Sequence, residues 1–282
     1  MRAMSALIAA TLLAGCANQE GVFGDAPHPL DGSADGQAQW PDATPLPDGV
    51  APYAGDPVIF AHSAAALYEV NPTTFKVTLV GNFKWPGGSD EMTDIAVDRK
   101  GKMTGISYDS VYSVDPKTAA CTYLAALDTS GSGTFNGLSY IAVQAVDVKE
   151  VLMASAGDGS LYEVDPATGT SKKVGAFGGG LGSSGDLVSV KGLGTLATVK
   201  KGFGLTDWLA RVDPLTGAAQ IIGDVGFADV WGLGFWKDKV YGFTEAAEFL
   251  LIDPKTGKGT LQSAGGAPWW GAGVTTSAPV IE

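Results

Sequence analysis

The chain has little of what most catalytic and nucleic-acid-binding proteins depend on. Its 282 residues hold two histidines and two cysteines. Two cysteines exclude a disulfide framework, and no His or Cys group shows zinc-ligand spacing. A Ser-His-Asp site would have to use His62, because His28 lies in a segment with no apolar period, and no Gly-x-Ser-x-Gly turn is present. Basic residues are also scarce: 18 Lys and Arg stand against 30 Asp and Glu, for a net charge of −12. Nucleic acid requires a basic surface, so it is disfavoured as a partner. Direct adsorption to anionic lipid is disfavoured on the same ground. No apolar run reaches the roughly 20 residues of a membrane-spanning helix, and no stretch reads as a long amphipathic helix. The glycine-rich run 178–185 lacks a Gly-Lys-Ser/Thr ending and a following helix, so it reads as a loop rather than a phosphate cradle.

What is abundant is turn chemistry. The chain carries 40 Gly, about twice the usual share, and 15 Pro. One phrase recurs: a few apolar or aromatic residues, then Asp-Pro-x-Thr-Gly or a near copy. It appears at Asn71-Pro72, Asp115-Pro116, Asp165-Pro166, Asp213-Pro214 and Asp253-Pro254, with steps of 44, 50, 48 and 40 residues. A period of this size built from strand-like units indicates stacked or radial sheets. Pro pre-sets one turn dihedral, and Gly169, Gly217 or Gly257 supplies the positive φ after it. The repeated Asp is therefore a turn residue that bonds the following backbone, not a catalytic carboxylate.

Each unit reads as four short strands. The second, for example, is Thr93–Asp98, Lys102–Ser107, Ser110–Asp115 and Ala120–Leu127. In the third and fourth, the first strands are expected at Leu138–Val143 and Ser184–Val190. The first unit has only three strands. Trp270–Thr276 matches Val230–Phe235 at the start of the fifth unit, so the C-terminus is expected to complete the first blade and close the ring. Closure removes unpaired edges. The predicted fold class is all-β, a five-bladed β-propeller spanning 57–282, with Gly232, Gly234, Gly271 and Gly273 where inner strands crowd the axis. The repeated turn resembles those of quinoprotein-like and other bacterial propellers, a likeness of architecture.

The N-terminus reads as an address. Arg2, the apolar run Ala3–Leu13 and Ala14-Gly15-Cys16 make an export signal over 1–15. Leu13-Ala14-Gly15-Cys16 resembles the lipobox of bacterial lipoproteins. The resemblance implies that Cys16 becomes lipid-modified and begins the mature protein. It also implies that the membrane is held through that lipid anchor alone. Ala17 in place of Asp favours the outer membrane. Residues 16–56 carry seven acids and no Lys or Arg, and read as a disordered acidic linker. Cys121, left without a partner, is expected to be a small buried hydrophobe.

In a propeller, loops from each outermost strand to the next innermost strand gather at one mouth. Those segments bring acids and aromatics toward it, and they supply the candidate ligand-binding residues. These are Asp90, Glu91, Thr93 and Asp94 from the second unit, then Asn136, Ser139, Ser184 and Asp186. Asp229, Trp231, Trp269 and Trp270 complete the set. Indoles stack on sugar rings and carboxylates accept hydrogen bonds from hydroxyls. The reading is a lipid-anchored cell-envelope binding protein, a monomer, holding a glycan, a small polar molecule or an envelope protein. The alternatives are a glycoside-active enzyme using mouth carboxylates and a scaffold in an envelope assembly. No cofactor is expected. Calcium among Asp90, Asp94, Asp186 and Asp229, or at Asp31–Gly36, is the one metal the oxygen ligands suit. Cys16→Ser is expected to leave the protein unprocessed and without acyl chains. Mass spectrometry finding the mature N-terminus at another residue, without acyl chains, would contradict the anchor.

Overall fold

A computed structural model describes residues 58–142, 149–202 and 204–281. The export signal, Cys16, the linker with its Asp31–Gly36 loop, and Val143 lie outside the described residues. Everything described is strand, turn or loop; among these residues there is no helix.

Five four-stranded antiparallel sheets form a five-bladed β-propeller. Blade 1 contains β1 (Ile59–His62), β2 (Ala66–Val70) and β3 (Val77–Asn82). Blade 2 is β4 (Asp94–Val97), β5 (Met103–Ile106), β6 (Ser110–Val114) and β7 (Cys121–Ala126). Blade 3 is β8 (Phe135–Ile141), β9 (Val151–Ala156), β10 (Ser160–Val164) and β11 (Ser171–Ala176). Blade 4 is β12 (Leu181–Val190), β13 (Gly194–Lys201), β14 (Trp208–Val212) and β15 (Ala219–Asp224). Blade 5 is β16 (Val230–Trp236), β17 (Lys239–Thr244), β18 (Glu248–Ile252) and β19 (Gly259–Ala264). The innermost strand of blade 1 is β20 (Gly271–Gly273), which pairs with β1 through Phe60–Gly273, Ala61–Ala272 and His62–Gly271. The C-terminus therefore closes the ring as the sequence predicts.

Burial follows strand position. The innermost strand β4 is buried throughout, whereas outer strands such as β3 and β11 alternate half-buried with exposed residues. The inner strands of blades 3 and 4 begin at Phe135 and Leu181, earlier than the expected Leu138 and Ser184. The reason is a β-bulge in each, between Phe135 and Gly137 and between Ser183 and Leu187. A bulge breaks the period-2 pattern that marks a strand in sequence.

The repeated turn does two jobs. Within its blade, the Asp carboxylate accepts the N–H two residues on: Lys117 at 2.8 Å, Ala167 at 2.9 Å, Leu215 at 2.8 Å and Lys255 at 2.8 Å. Between blades, the turn docks on the outer strand of the preceding blade. A Cβ on Gly175 would meet the Thr216 carbonyl at 1.8 Å, and one on Gly223 the Thr256 carbonyl at 1.9 Å. Glycine is required there because the neighbouring turn occupies the space a side chain would fill.

The blade 5–blade 1 seam is aromatic. Trp269 packs edge-to-face on Tyr68 at 5.0 Å and on Phe243 at 5.5 Å, and Phe243 stacks on Phe249 at 5.2 Å. Past β20 the tail crosses the far end of the channel. Thr275 donates to the Asp98 carbonyl, the Lys191 N–H to Thr276, and the Lys237 N–H to Pro279. Blades 2, 4 and 5 are thereby tied together by one segment. Removing 270–282 strips the inner strand of blade 1 and this cross-tie. The truncated chain is expected to lose its cooperative thermal transition; a melt matching full length would contradict the closure.

Candidate functional site

The innermost strands carry one equivalent position each at the axis: Asp94, Gly137, Asp186, Gly232 and Gly271. The crowding is severe. A Cβ on Gly271 would meet Asp94 Oδ1 at 2.3 Å, and one on Gly232 the Gly271 carbonyl carbon at 2.8 Å. Three glycines leave room for two side chains, and both are carboxyls. Asp186 Oδ1 accepts its own Leu187 N–H at 2.6 Å. Its Oδ2 accepts Leu233 N–H at 2.7 Å and Ala272 N–H at 3.3 Å, from blades 5 and 1. Asp94 Oδ1 accepts Ile95 N–H at 2.7 Å, and the Leu138 N–H of blade 3 also favours its charged form. Two carboxyls thus serve inner-strand donors from all five blades.

His62 completes this axial group. It is fully buried, with Nε2 3.5 Å from Asp94 Oδ1. Nδ1 lies 3.0 Å from the Ser63 carbonyl and must donate to it, so the neutral ring presents a bare lone pair at Nε2. Burial drives the imidazole down to about 4. Burial pushes the Asp94 carboxyl well up, and the adjoining Asp186 charge pushes it further. Burial also raises Asp186, but three backbone donors oppose that rise. Both carboxyls thus hold protons more tightly than free Asp, Asp186 being raised to about 8 and Asp94 being the harder of the two to ionise.

Directly above this group lies a cavity of about 410 Å³. Its wall follows from the axial register. Thr93, Asn136, Trp231 and Trp270 each immediately precede an axial position, and the wider bulge of blade 4 puts Ser183 and Ser184 there. Trp231 and Trp270 meet edge-to-face at 6.4 Å, both half-buried. Thr93 donates to the Ile106 carbonyl at 3.1 Å, which leaves its oxygen as an acceptor; Ser183 donates to the Gly185 carbonyl at 2.9 Å and accepts the Ser155 hydroxyl at 3.0 Å. Asn136 Oδ1 is buried without a hydrogen-bond partner among the described residues. Ser184 lies close enough to the buried Asp207 to favour that carboxylate's charged form, while Asp207 also accepts the Val230 N–H at 2.7 Å. The cavity opens away from the C-terminal tail, so it is a cup with the axial carboxyls beneath its floor.

Of the residues singled out from sequence, Thr93, Asn136, Ser184, Trp231 and Trp270 line this cup together. Asp94 and Asp186 are wholly buried below it. Asp229 stands at the rim, paired with Lys200 at 2.9 Å. Trp269, 2% exposed, belongs to the aromatic core rather than the mouth. Ser139 is buried and donates to the Tyr140 carbonyl at 3.1 Å, outside the cup wall. Asp90 lies in a separate cleft on the flank, and Glu91 beside it is exposed. The four acids considered for calcium therefore do not converge. Among the described residues no group of three or more His, Cys, Asp or Glu gathers to hold a metal. Cys121 is buried, and burial pushes its thiol up to about 12, which leaves it inert.

Sequence reading missed Tyr108, Thr134, Phe135 and Lys200, which also line the cup. Tyr108 lies in the hairpin between the second and third strands of blade 2, and Lys200 at the end of the second strand of blade 4, beside the corresponding hairpin. Antiparallel order puts those hairpins at the same end as the outer-to-inner loops. Counting strand directions, rather than loops alone, would have found Tyr108 and Lys200; Thr134 and Phe135 lie in the outer-to-inner connection just before Asn136.

The axial protons make stability depend on pH. Above the ordinary Asp value of 3.8, the folded pair keeps a proton that the unfolded chain releases, so stability falls as pH rises. His62 opposes this between about 4 and 6.5, where the unfolded ring binds a proton the folded one refuses. From pH 6.5 to the ordinary thiol value of 9.0 the carboxyl effect remains, and above that the buried Cys121 thiol adds to it with the same sign. Stability is therefore expected to decline from pH 6.5 into the alkaline range, by about 1.4 kcal/mol per pH unit per retained proton. Asp94→Asn, whose amide can still donate to Asp186, is expected to flatten the decline. A wild-type melting temperature constant from pH 6.5 upward would contradict the retained proton.

No protein-family model and no curated protein sequence matches the chain. Solved structures resemble it at low identity. A Bacteroides caccae protein of unknown function is 10% identical with a TM-score of 0.43, over 76% of this chain and 74% of that one. A Bacteroides thetaiotaomicron protein of unknown function is 13% identical with a TM-score of 0.47, over 78% of this chain and 62% of that one. An auxiliary nutrient binding protein of the same organism is 13% identical with a TM-score of 0.44, over 73% of this chain and 54% of that one. This chain therefore spans less than two thirds of the length of the last two, and the likeness is one of fold.

Proposed function

We propose that the chain is a lipid-anchored cell-envelope binding protein whose axial cup holds a neutral, polyhydroxylated ligand, a glycan unit or a similar small polar molecule. The observation that carries this is the lining of the cup. A half-buried tryptophan pair offers apolar ring faces. Around it stand the Thr93 oxygen, whose own proton is already spent, and the unpartnered Asn136 Oδ1. Such a wall accepts hydrogen bonds, and hydroxyl groups donate them. The volume lies within the usual range for small-ligand sites, roughly 300–1,000 Å³.

Charge argues in the same direction. Lys200 is the cation at the wall, but it is paired with Asp229 and stands in the field of Asp207 and Glu245. An anionic ligand would have no net positive field to meet. Glycoside hydrolysis is less well supported. It needs an acid and a second carboxyl flanking the bond, whereas no carboxylate lines the cup among the described residues. Asp94 and Asp186 hold their protons tightly in the buried axis and are occupied by backbone donors.

A glycan array with the full-length chain identifies the ligand, and calorimetry on the best hit tests the site. Trp270→Ala is expected to weaken binding by about thirtyfold, the loss of roughly 2 kcal/mol typical of a central aromatic contact. Asn136→Ala is expected to cost about tenfold through its lost acceptor. Binding that survives both substitutions, or an array with no hit of any class, would sink the reading.

A further inference from the structure

A second cavity of about 490 Å³ lies on the flank of the propeller, apart from the axial cup. It sits where the loop leaving blade 1 meets the outer half of blade 2. Trp85, Tyr112 and Tyr123 form its aromatic wall, and Asp90 and Asp109 add two carboxylates. We propose that this cleft binds an organic cation, an alkylammonium group carried either by a free amine or by a lysine side chain.

The rings form one continuous wall of the cleft, with Tyr112 between the other two. Tyr112 stands edge-to-face to Trp85 at 5.1 Å and 63°, and to Tyr123 at 6.0 Å and 76°. Aromatic faces carry negative potential and attract cations. The carboxylates reinforce this field. Asp90 Oδ2 accepts the Tyr112 hydroxyl at 2.7 Å, which orients the central ring. Asp109 Oδ1 accepts the Ser110 hydroxyl at 2.8 Å. Burial, and the nearby Asp90 and Asp109 charges, push the Tyr112 phenol up to about 12. Among the described residues no Lys or Arg lines the cleft, so its charge is uncompensated from within. Tyr123 is 50% exposed, so the aromatic wall reaches solvent. This site shares no lining residue with the axial cup, so its occupancy can be tested independently.

The experiment follows ligand proton shifts by NMR with the full-length chain in nonionic detergent. The probes are choline, its neutral carbon isostere dimethylbutanol, and N-acetyl-lysine methylamide. Choline methyl protons are expected to shift upfield on binding, and the neutral isostere to bind at least about tenfold more weakly. Tyr123→Ala and Asp109→Asn change exposed side chains and are each expected to weaken the cation roughly fivefold. Trp270→Ala in the cup is expected to leave it unchanged. Tighter binding of choline points to a free amine, and tighter binding of the lysine derivative to a peptide. Failure of both cations to bind, equal binding of the neutral isostere, or insensitivity to both flank substitutions would overturn the proposal.

Discussion

The structure turns on a shortage of space and donors at one axis. Five inner strands converge, and each points a backbone N–H at the channel. Asp94 and Asp186 take up those donors between them, and Gly137, Gly232 and Gly271 make room for the two carboxyls. Buried N–H groups left unpaired would each cost about 1–3 kcal/mol. Two adjacent charges in the same dry space would cost more, so one carboxyl keeps its proton. His62 accepts this arrangement by staying neutral. The blades are thus joined at the centre by hydrogen bonds that cross from strand to strand, in addition to the packing between them.

The cup inherits its shape from that axis. Because each inner strand must put a small or carboxyl residue at the centre, the residue just before it is lifted into the mouth. Four blades show this directly, at Thr93, Asn136, Trp231 and Trp270, and blade 4 reaches the same level through its wider bulge. At the other end the C-terminal tail bonds to hairpins of blades 2, 4 and 5. The flank cleft has a different origin. It exists because the loop from β3 to β4 bends outward and carries Trp85 and Asp90 away from the axis, toward Tyr112 and Tyr123.

Much of this was legible before any coordinates. Asp-Pro turns recurring at a blade-sized period, together with the match between Trp270–Thr276 and Val230–Phe235, determine five blades and the closing strand. They do so because turn dihedrals and strand alternation are local properties. The glycines at Gly232 and Gly271 pointed to axial crowding for the same reason. The cup residues at inner-strand starts were legible too, because their position along the repeat is periodic.

Only the tertiary structure decided which polar residues face the cup and which are sealed beneath it. Asp94 and Asp186 resemble site carboxylates in sequence, yet a shift of one residue along an inner strand moves a side chain from the mouth wall into the axis. Trp269 and Trp270 are adjacent in sequence, just before β20, yet one packs into the blade seam and the other faces the mouth. Asp90 parted from Asp186 because a loop's direction depends on what it packs against. Local pattern determines the repeat; register at the axis and the course of the loops come from contacts between residues far apart in the chain, which no short stretch of sequence records.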